Sequence, residues 1–249
     1  MTAKNGKPVY RRVVLKLSGE ALQGDQSSGI DPRSIERITG EVAAVHAQGV
    51  QIALVIGAGN LVRGTELCAS AGIDRVTADQ MGMLATLING LALRDAFEKH
   101  ALPVRLYSAL PVSGMVDAYE RHRAIRCLEK GRVVIFVGGT GNPLVTTDSA
   151  AALRGVEIGA DIVIKATKVD GVYAADPIKN PKAERFTALT YDTVLEQRLA
   201  VMDYNAILLC RDNRLPLRVF NMNRADAFRQ IILGETIGTL VSEGDSYDK

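Results

Sequence analysis

Two lysines stand at the ends of apolar, β-rich runs. Lys16 is the last residue but one of the run Val13–Leu17, and Lys165 follows Ile162-Val163-Ile164. A lysine in such surroundings is costly unless it meets an anion or carries its ammonium group out to water. Ser18-Gly19 comes directly after the first run, and Ala166-Thr167-Lys168-Val169-Asp170-Gly171 after the second. Two more runs end in glycine turns. Ile52–Ile56 leads into Gly57-Ala58-Gly59-Asn60 with Arg63 close behind, and Val133–Val137 leads into Gly138-Gly139-Thr140-Gly141-Asn142-Pro143. Glycine lets backbone N–H groups approach an anion closely, and a following helix N-terminus adds its dipole. One such turn is equally an ordinary connection. Four of them, with two lysines and Arg63, suit a site that gathers several phosphates. Phosphoryl transfer needs that arrangement, because donor and acceptor are both anionic and charge must be stabilised in the transition state. No acid–base dyad is required when the acceptor oxygen is already ionised.

The carboxylates are ambiguous by themselves. Asp148 follows Thr146-Thr147 where a helix should begin, so it reads as a helix N-cap or as a catalytic group. Asp176 precedes Pro177 and suits a turn, and Asp79 suits a solvated helix face. Met81 and Met83 read as packing residues. Familiar phosphate motifs are missing. There is no G-x-x-x-x-G-K-[ST], Val62 occupies the last glycine position of the dinucleotide fingerprint, and the protein-kinase catalytic-loop signature is absent.

The elements that would position these residues alternate along the chain. Strands are expected at Val13–Leu17, Ile52–Ile56, Val104–Tyr107, Val133–Val137, Ile162–Lys165, Leu217–Phe220 and Thr239–Val241. Helices are expected at 32–48, with Asp31 as cap and Pro32 in the first turn, and at 74–99, 119–130, 148–158, 191–199, 204–213 and 225–233. Continuous apolar strands separated by helices indicate a mostly parallel sheet covered on both faces, with ligands beyond the strands' carboxyl ends. No repeat or low-complexity linker interrupts the 249 residues, so one α/β domain is expected over 1–249, with 242–249 a frayed polar tail.

Composition removes other classes. Thirty Lys+Arg against 28 Asp+Glu leave a net charge of +2, which fits neither a nucleic-acid coat nor an acidic tail. There is no Trp and only 5% aromatic residues, which argues against a stacking surface. Three scattered cysteines and three histidines without ligand spacing give no disulfide framework and no metal site. The first residues lack an apolar signal core, and the most apolar window, 81–93, is too short for a membrane span. The chain is therefore expected to be cytoplasmic, with no membrane or nucleic-acid partner.

The sequence also resembles bacterial-type uridylate (UMP) kinases of the amino acid kinase superfamily, from about Tyr10 to Val241. The resemblance rests on Leu15-Lys16-Leu17-Ser18-Gly19-Glu20-Ala21-Leu22, on Gly141-Asn142-Pro143 with Thr146-Thr147-Asp148-Ser149-Ala150-Ala151, and on Lys165-Ala166-Thr167-Lys168-Val169-Asp170-Gly171-Val172-Tyr173 with Asp176-Pro177. Arg218-Val219-Phe220-Asn221-Met222 adds to it. Acetylglutamate, aspartate and carbamate kinases share only parts of this set.

The resemblance implies a three-layer αβα sandwich and Mg²⁺-dependent transfer of the γ-phosphoryl group of ATP to UMP. It implies that Lys16 and Lys165 flank the transferred group, with Asp148 holding them in register. Lys16, Leu17, Ser18, Gly19, Gly59, Arg63, Thr167, Tyr173 and Asp176 would bind ATP. Ala58, Asp79, Thr140, Gly141, Asn142, Pro143, Leu144, Val145, Thr146 and Thr147 would bind UMP, and the polar stretch after Lys168, with Pro177 and Pro181, would be a mobile loop. Many relatives carry glycine where this chain has Ala58, so strain of ~1 kcal/mol or more is expected there if φ is positive. The resemblance also implies a homohexamer, activated by GTP and inhibited by UTP, as is usual among such kinases. Arg94, Arg105 and Arg132 match basic positions of the GTP site, and an aromatic residue of some relatives is replaced near Arg121. A carboxylate or carbamate kinase, or a non-catalytic nucleotide-binding relative, are the alternatives. Retention of Lys16, Lys165 and Asp148 argues against the last.

Overall fold

The structure is a computed structural model and describes residues 6–175, 177, 179–180 and 182–244. The first strand, β1 (Arg12–Leu17), runs into a 3-10 turn at Gly19–Leu22. Then come α1 (Pro32–His46), β2 (Gln51–Ile56), α2 (Gly64–Ala71), α3 (Arg75–Lys99), β3 (Val104–Ser108), β4 (Asp117–Ala118) and α4 (Arg121–Glu129). The second half holds β5 (Val133–Val137), α5 (Thr147–Ile158), β6 (Ile162–Thr167), β7 (Ala188–Thr190), α6 (Tyr191–Glu196), α7 (Tyr204–Asp212), β8 (Leu217–Asn221), α8 (Ala227–Ile232) and β9 (Thr239–Ser242).

Among the described residues the strands form one sheet in the order β4-β3-β5-β2-β1-β6-β8-β9-β7, and only the β8–β9 pair is antiparallel. The apolar runs explain the centre of that order. β1, β2, β5 and β6 are almost entirely buried, as parallel strands covered on both faces must be. Side chains alternate between two cores. Val13, Leu15 and Leu17 join Ile38, Val42, Leu93 and Phe228, which belong to α1, α3 and α8. Val14 and Val163 join Ala151, Ala152, Ala206 and Ile207, which belong to α5 and α7. By the same alternation Lys16 and Lys165 share the face covered by α5.

The expected elements are present, with some additions and shifted ends: α1, α6 and α8 stop at His46, Glu196 and Ile232, short of the expected bounds. Helix α2 follows Arg63 without a side-chain cap and ends at Gly72 with φ 64°. The two-residue β4 extends the sheet beyond β3, and β7 interrupts the polar stretch before Thr190. Helix α4 starts at Arg121 rather than Tyr119, because the Glu120 carboxylate accepts the N–H groups of His122 and Arg123. Asp31 caps α1 as expected, accepting from Ser34 N. Ser242 does not fray, since it pairs with Thr190 in β7; residues 245–249 lie outside the described residues. Pro181, expected in a mobile loop, also lies outside them. On either side of that stretch Tyr173 bridges Arg185, and Phe186 N donates to Val172 O at 2.9 Å.

Candidate active site

Lys16 and Lys165 are register partners on the adjacent parallel strands β1 and β6. Their side chains leave the same face side by side, and both reach Asp148 near the start of α5. Lys16 Nζ lies 2.5 Å from Asp148 Oδ1, and Lys165 Nζ lies 2.7 Å from Oδ2. Lys165 Nζ also donates to the carbonyl of Val201 at 2.6 Å. The three side chains are only 9%, 17% and 14% exposed, so little water screens the trio. Two cations against one anion leave one positive charge over.

Burial opposes ionisation of Asp148, but the two ammonium groups outweigh it and hold the carboxyl below the ordinary carboxylate range. Burial, helped by repulsion from Lys16, lowers the Lys165 ammonium from its ordinary value against the attraction of Asp148. A carboxylate held in this way is a poor proton acceptor and a good brace for two lysines.

Asp148 is not the N-cap of α5, one of the two roles its position allowed. Thr146 takes that place, its hydroxyl oxygen accepting from Asp148 N at 3.1 Å and Ser149 N at 3.4 Å. The Thr146 hydroxyl in turn donates to Asp203, and Ser149 Oγ donates to Asp203 Oδ1 at 2.8 Å. Asp203 also caps α7 through Ala206 N. The hydroxyl of Thr146 thus satisfies the helix end and leaves the Asp148 carboxylate to the lysines. The positive end of the α5 dipole faces the same region.

The turns after β1 and β2 press against each other. A Cβ on Gly19 would stand 2.5 Å from Gly59 N and 2.7 Å from the carbonyl carbon of Ala58, so only glycine fits there. Gly57 N donates to Leu17 O at 2.9 Å; the Leu17 side chain itself is buried in the core. Ala58 is not among the residues with positive φ, so the strain considered for alanine is absent. Arg63 Nε donates to Gly59 O at 3.2 Å, and its guanidinium pairs with Glu20 at 2.7 Å. Thr167 Oγ1 donates to Val169 O at 2.7 Å, which shapes the turn after β6. Ser18 and Thr167 open into a cavity of about 540 Å³ that is also lined by Arg33, Arg37, Lys168 and Asn223. Tyr173 forms the bridge to Arg185 and is not among the walls of this cavity, and Asp176 lies outside the described residues.

The trio lines neither that cavity, where Ala166 follows Lys165 in the chain, nor a second one of about 200 Å³, where Thr147 precedes Asp148. The walls of the second include Ala58, Asp79, Leu144, Val145, Thr146 and Thr147. Asp79 is not a solvated helix residue: its carboxylate accepts from Leu144 N at 2.9 Å and pairs with Arg75 at 3.0 Å. Thr140, Gly141, Asn142 and Pro143 belong to the same loop but stand outside the walls of this cavity. Thr140 Oγ1 accepts from Asn142 N at 3.3 Å, and Gly141, at φ 88°, closes the turn onto Gly138 O.

Arg94, Arg105 and Arg132 lie at the far edge of the sheet. Arg94 and Arg105 line one cavity of about 320 Å³, and Arg105 and Arg132 another of about 320 Å³ with Arg123, Arg126 and Lys130. Arg121 instead donates to Glu157 O at 2.5 Å. Among the described residues no group of three His, Cys, Asp or Glu side chains could hold a metal ion. The carboxylates nearest the lysines, Asp148 and Asp203, are already engaged.

Several contributors carried no sequence signal for the site. Val201 acts through a backbone carbonyl. Asp203 precedes an apolar helix and is legible as a cap, but its bonds to Thr146 and Ser149 span more than 50 residues.

Comparison with known proteins agrees with this architecture. The model of the amino acid kinase family matches residues 11–221. The chain is 58% identical to the uridylate kinase of Methylococcus capsulatus over 238 residues, covering 96% of this chain and 99% of that protein. It is 57% identical to the uridylate kinase of Pseudomonas putida over 240 residues, covering 96% and 97%. Among solved structures, the UMP kinase from Bacillus anthracis superposes with a TM-score of 0.92 at 39% identity, covering 95% of this chain and 97% of that one. The UMP kinase from Ureaplasma parvum superposes with a TM-score of 0.88 at 36% identity, covering 94% and 99%.

Proposed function

The chain belongs to the amino acid kinase family, and we propose that it works there as a uridylate kinase, moving the γ-phosphoryl group of ATP to UMP to give UDP and ADP. The reading rests on the convergence of Lys16 and Lys165 on Asp148, with Ala166 beside Lys165 walling one cavity and Thr147 beside Asp148 walling another, each read as the place of one nucleotide.

Lys16 and Lys165 neutralise the charge that develops on the transferred group, and Asp148 keeps their ammonium groups together. The attacking oxygen of UMP is already ionised, so no general base is needed; the ion-paired Asp148 suits bracing rather than proton abstraction. Lys16, Leu17, Ser18, Gly19, Gly59, Arg63, Thr167, Tyr173 and Asp176 receive ATP, Leu17 through its backbone. Ala58, Asp79 and residues 140–147 receive UMP. Mg²⁺ would arrive with ATP as MgATP and neutralise part of the phosphate charge beside Lys16 and Lys165.

The same reading extends to regulation and assembly. Arg94, Arg105 and Arg132 are proposed to bind GTP as an activator, supported by the basic cavities that they line, with UTP as an inhibitor. The working unit is proposed to be a homohexamer of single-domain chains in the cytoplasm. No helix among the described residues is long and apolar enough to cross a membrane.

The test is an acceptor panel. Purified protein with MgATP should release ADP with UMP, and UMP, CMP, dUMP and AMP should be ranked at fixed MgATP. Acetylglutamate, aspartate and carbamate in the same assay separate the sister reactions. No ADP above the control without UMP overturns the reading.

A further inference from the structure

The turn after β2 is held in place by two side chains to which the phosphate chemistry assigns no part. Asn89, in the middle of α3, is fully buried, and Asn60 is 1% exposed. Their amides face each other. Asn89 Nδ2 donates to Asn60 Oδ1 at 2.8 Å, and Asn60 Nδ2 donates to Asn89 Oδ1 at 3.0 Å. The second N–H of each amide reaches a backbone carbonyl. Asn89 Nδ2 donates to Gly57 O at 2.8 Å, and Asn60 Nδ2 donates to Gly29 O at 2.8 Å. Gly29 N returns a bond to Asn60 O at 2.8 Å.

All four amide N–H groups are therefore used, which a buried polar pair requires. The bonds between the two amides could be replaced by an apolar pair at little cost, but the carbonyls of Gly57 and Gly29 would then lose these donors. The amides thus supply position as well as stability. They fix both ends of the Gly57–Asn60 turn to one rigid helix. They also fix it against the neighbouring turn, since Asn60 Oδ1 would stand 2.5 Å from a Cβ on Gly19.

We propose that Asn60 and Asn89 are positioning residues for phosphoryl transfer, locking the Gly57–Asn60 turn against Ser18–Gly19 at the spacing that receives the donor phosphates. This rests on the reading of those turns as the ATP site. The residues touch no reacting atom; they act through Gly57, Ala58 and Gly59.

Three variants test it. Asn89→Asp keeps the acceptor for Asn60 and removes both Asn89 donors. Asn60→Asp keeps the acceptor for Asn89 and removes both Asn60 donors. Leu93→Ala, at a buried apolar position on the same helix, lowers stability without touching these hydrogen bonds. Steady-state kinetics are measured where circular dichroism reports each variant folded. Both asparagine variants should lose roughly 10- to 100-fold in kcat with a raised KM for MgATP, as small displacements of a positioning element do. Leu93→Ala should keep both constants despite a fall in Tm. Asparagine variants with the kinetic constants of Leu93→Ala would overturn the proposal, and so would failure of both to fold even in the cold, which would make the pair a folding element. A wild-type chain that fails to phosphorylate UMP would instead overturn the functional reading beneath it.

Discussion

Asp79 and Leu144 are joined across the cavity of about 200 Å³ that both help to wall. The carboxylate accepts the backbone N–H of Leu144 at 2.9 Å, and Leu144 sits there in the left-handed region at φ 65° with its side chain largely in solvent. A leucine in that conformation costs ~1–2 kcal/mol, whereas glycine adopts it freely. Leu144→Gly should therefore be neutral or stabilising by up to about 1 kcal/mol, because the relieved strain outweighs glycine's extra unfolded-state entropy. The same change lets the loop leave the geometry in which Asp79 holds it, so KM for UMP should rise. Urea midpoints and UMP titrations check the two effects together. A stabilised variant with unchanged KM for UMP would separate Leu144 from acceptor binding.

Removing either lysine tests the charge trio. Lys16→Ala or Lys165→Ala leaves Asp148 one ammonium partner, so the fold should survive. Each loses a group aimed at developing charge, and the expected loss is on the order of 10²–10³ in kcat, the scale of one oxyanion-hole donor. Single-turnover rates at saturating MgATP and UMP measure it. An unchanged rate would remove that lysine from the chemistry.

How far the sequence foretold this site depends on the range of the interactions. The lysines were legible because each stands near the end of an apolar run, and strand alternation then forces both onto one face. Asp148 was half legible. Its place at a helix start was right, but Thr146 caps the helix because its hydroxyl reaches the N–H groups two and three residues on. Helix α2 was not legible, since Gly64-Thr65-Glu66-Leu67 opens it without a side-chain cap, and packing against α3 holds it. Asp203 and the Asn60–Asn89 pair depend on contacts between residues 29 to 57 positions apart, which no local pattern records.

The pH profile should single out Lys165. Burial, with repulsion from Lys16, lowers its ammonium below the ordinary 10.5, Asp148 opposing. For the free enzyme, kcat/KM should fall as pH rises through that lowered value, because the neutral amine no longer stabilises phosphoryl charge. Stability runs the other way. The unfolded chain binds the extra proton between the folded and unfolded pKa values, so this group makes the fold more stable as pH rises across that window. Lost activity with intact structure is therefore the expected signature. Lys165→Arg, which keeps its charge throughout, should move the alkaline limb of kcat/KM upward. A limb that stays in place would assign it to another group.

Arg154 should affect stability and not catalysis, although it stands on the same helix as Asp148. Its guanidinium lies 3.8 Å from the centre of the Tyr119 ring and 2.5 Å from Glu157, and its side chain is 6% exposed. The Tyr119 hydroxyl donates to Glu157 at 2.6 Å, and its pKa is raised by burial and then by that carboxylate. None of the three lines the cavity of about 540 Å³ or that of about 200 Å³. Arg154→Met leaves Glu157 without its cation, and breaking a pair of this burial costs about 3 kcal/mol, the lower end of the usual range because Glu157 keeps some water. Arg154→Met combined with Glu157→Gln should recover part of that loss, because no charge is then left uncompensated. Urea unfolding measures both variants, and kcat in the cold should match the wild type. A fall in kcat without a fall in stability would mean that this cluster reaches the lysines through α5.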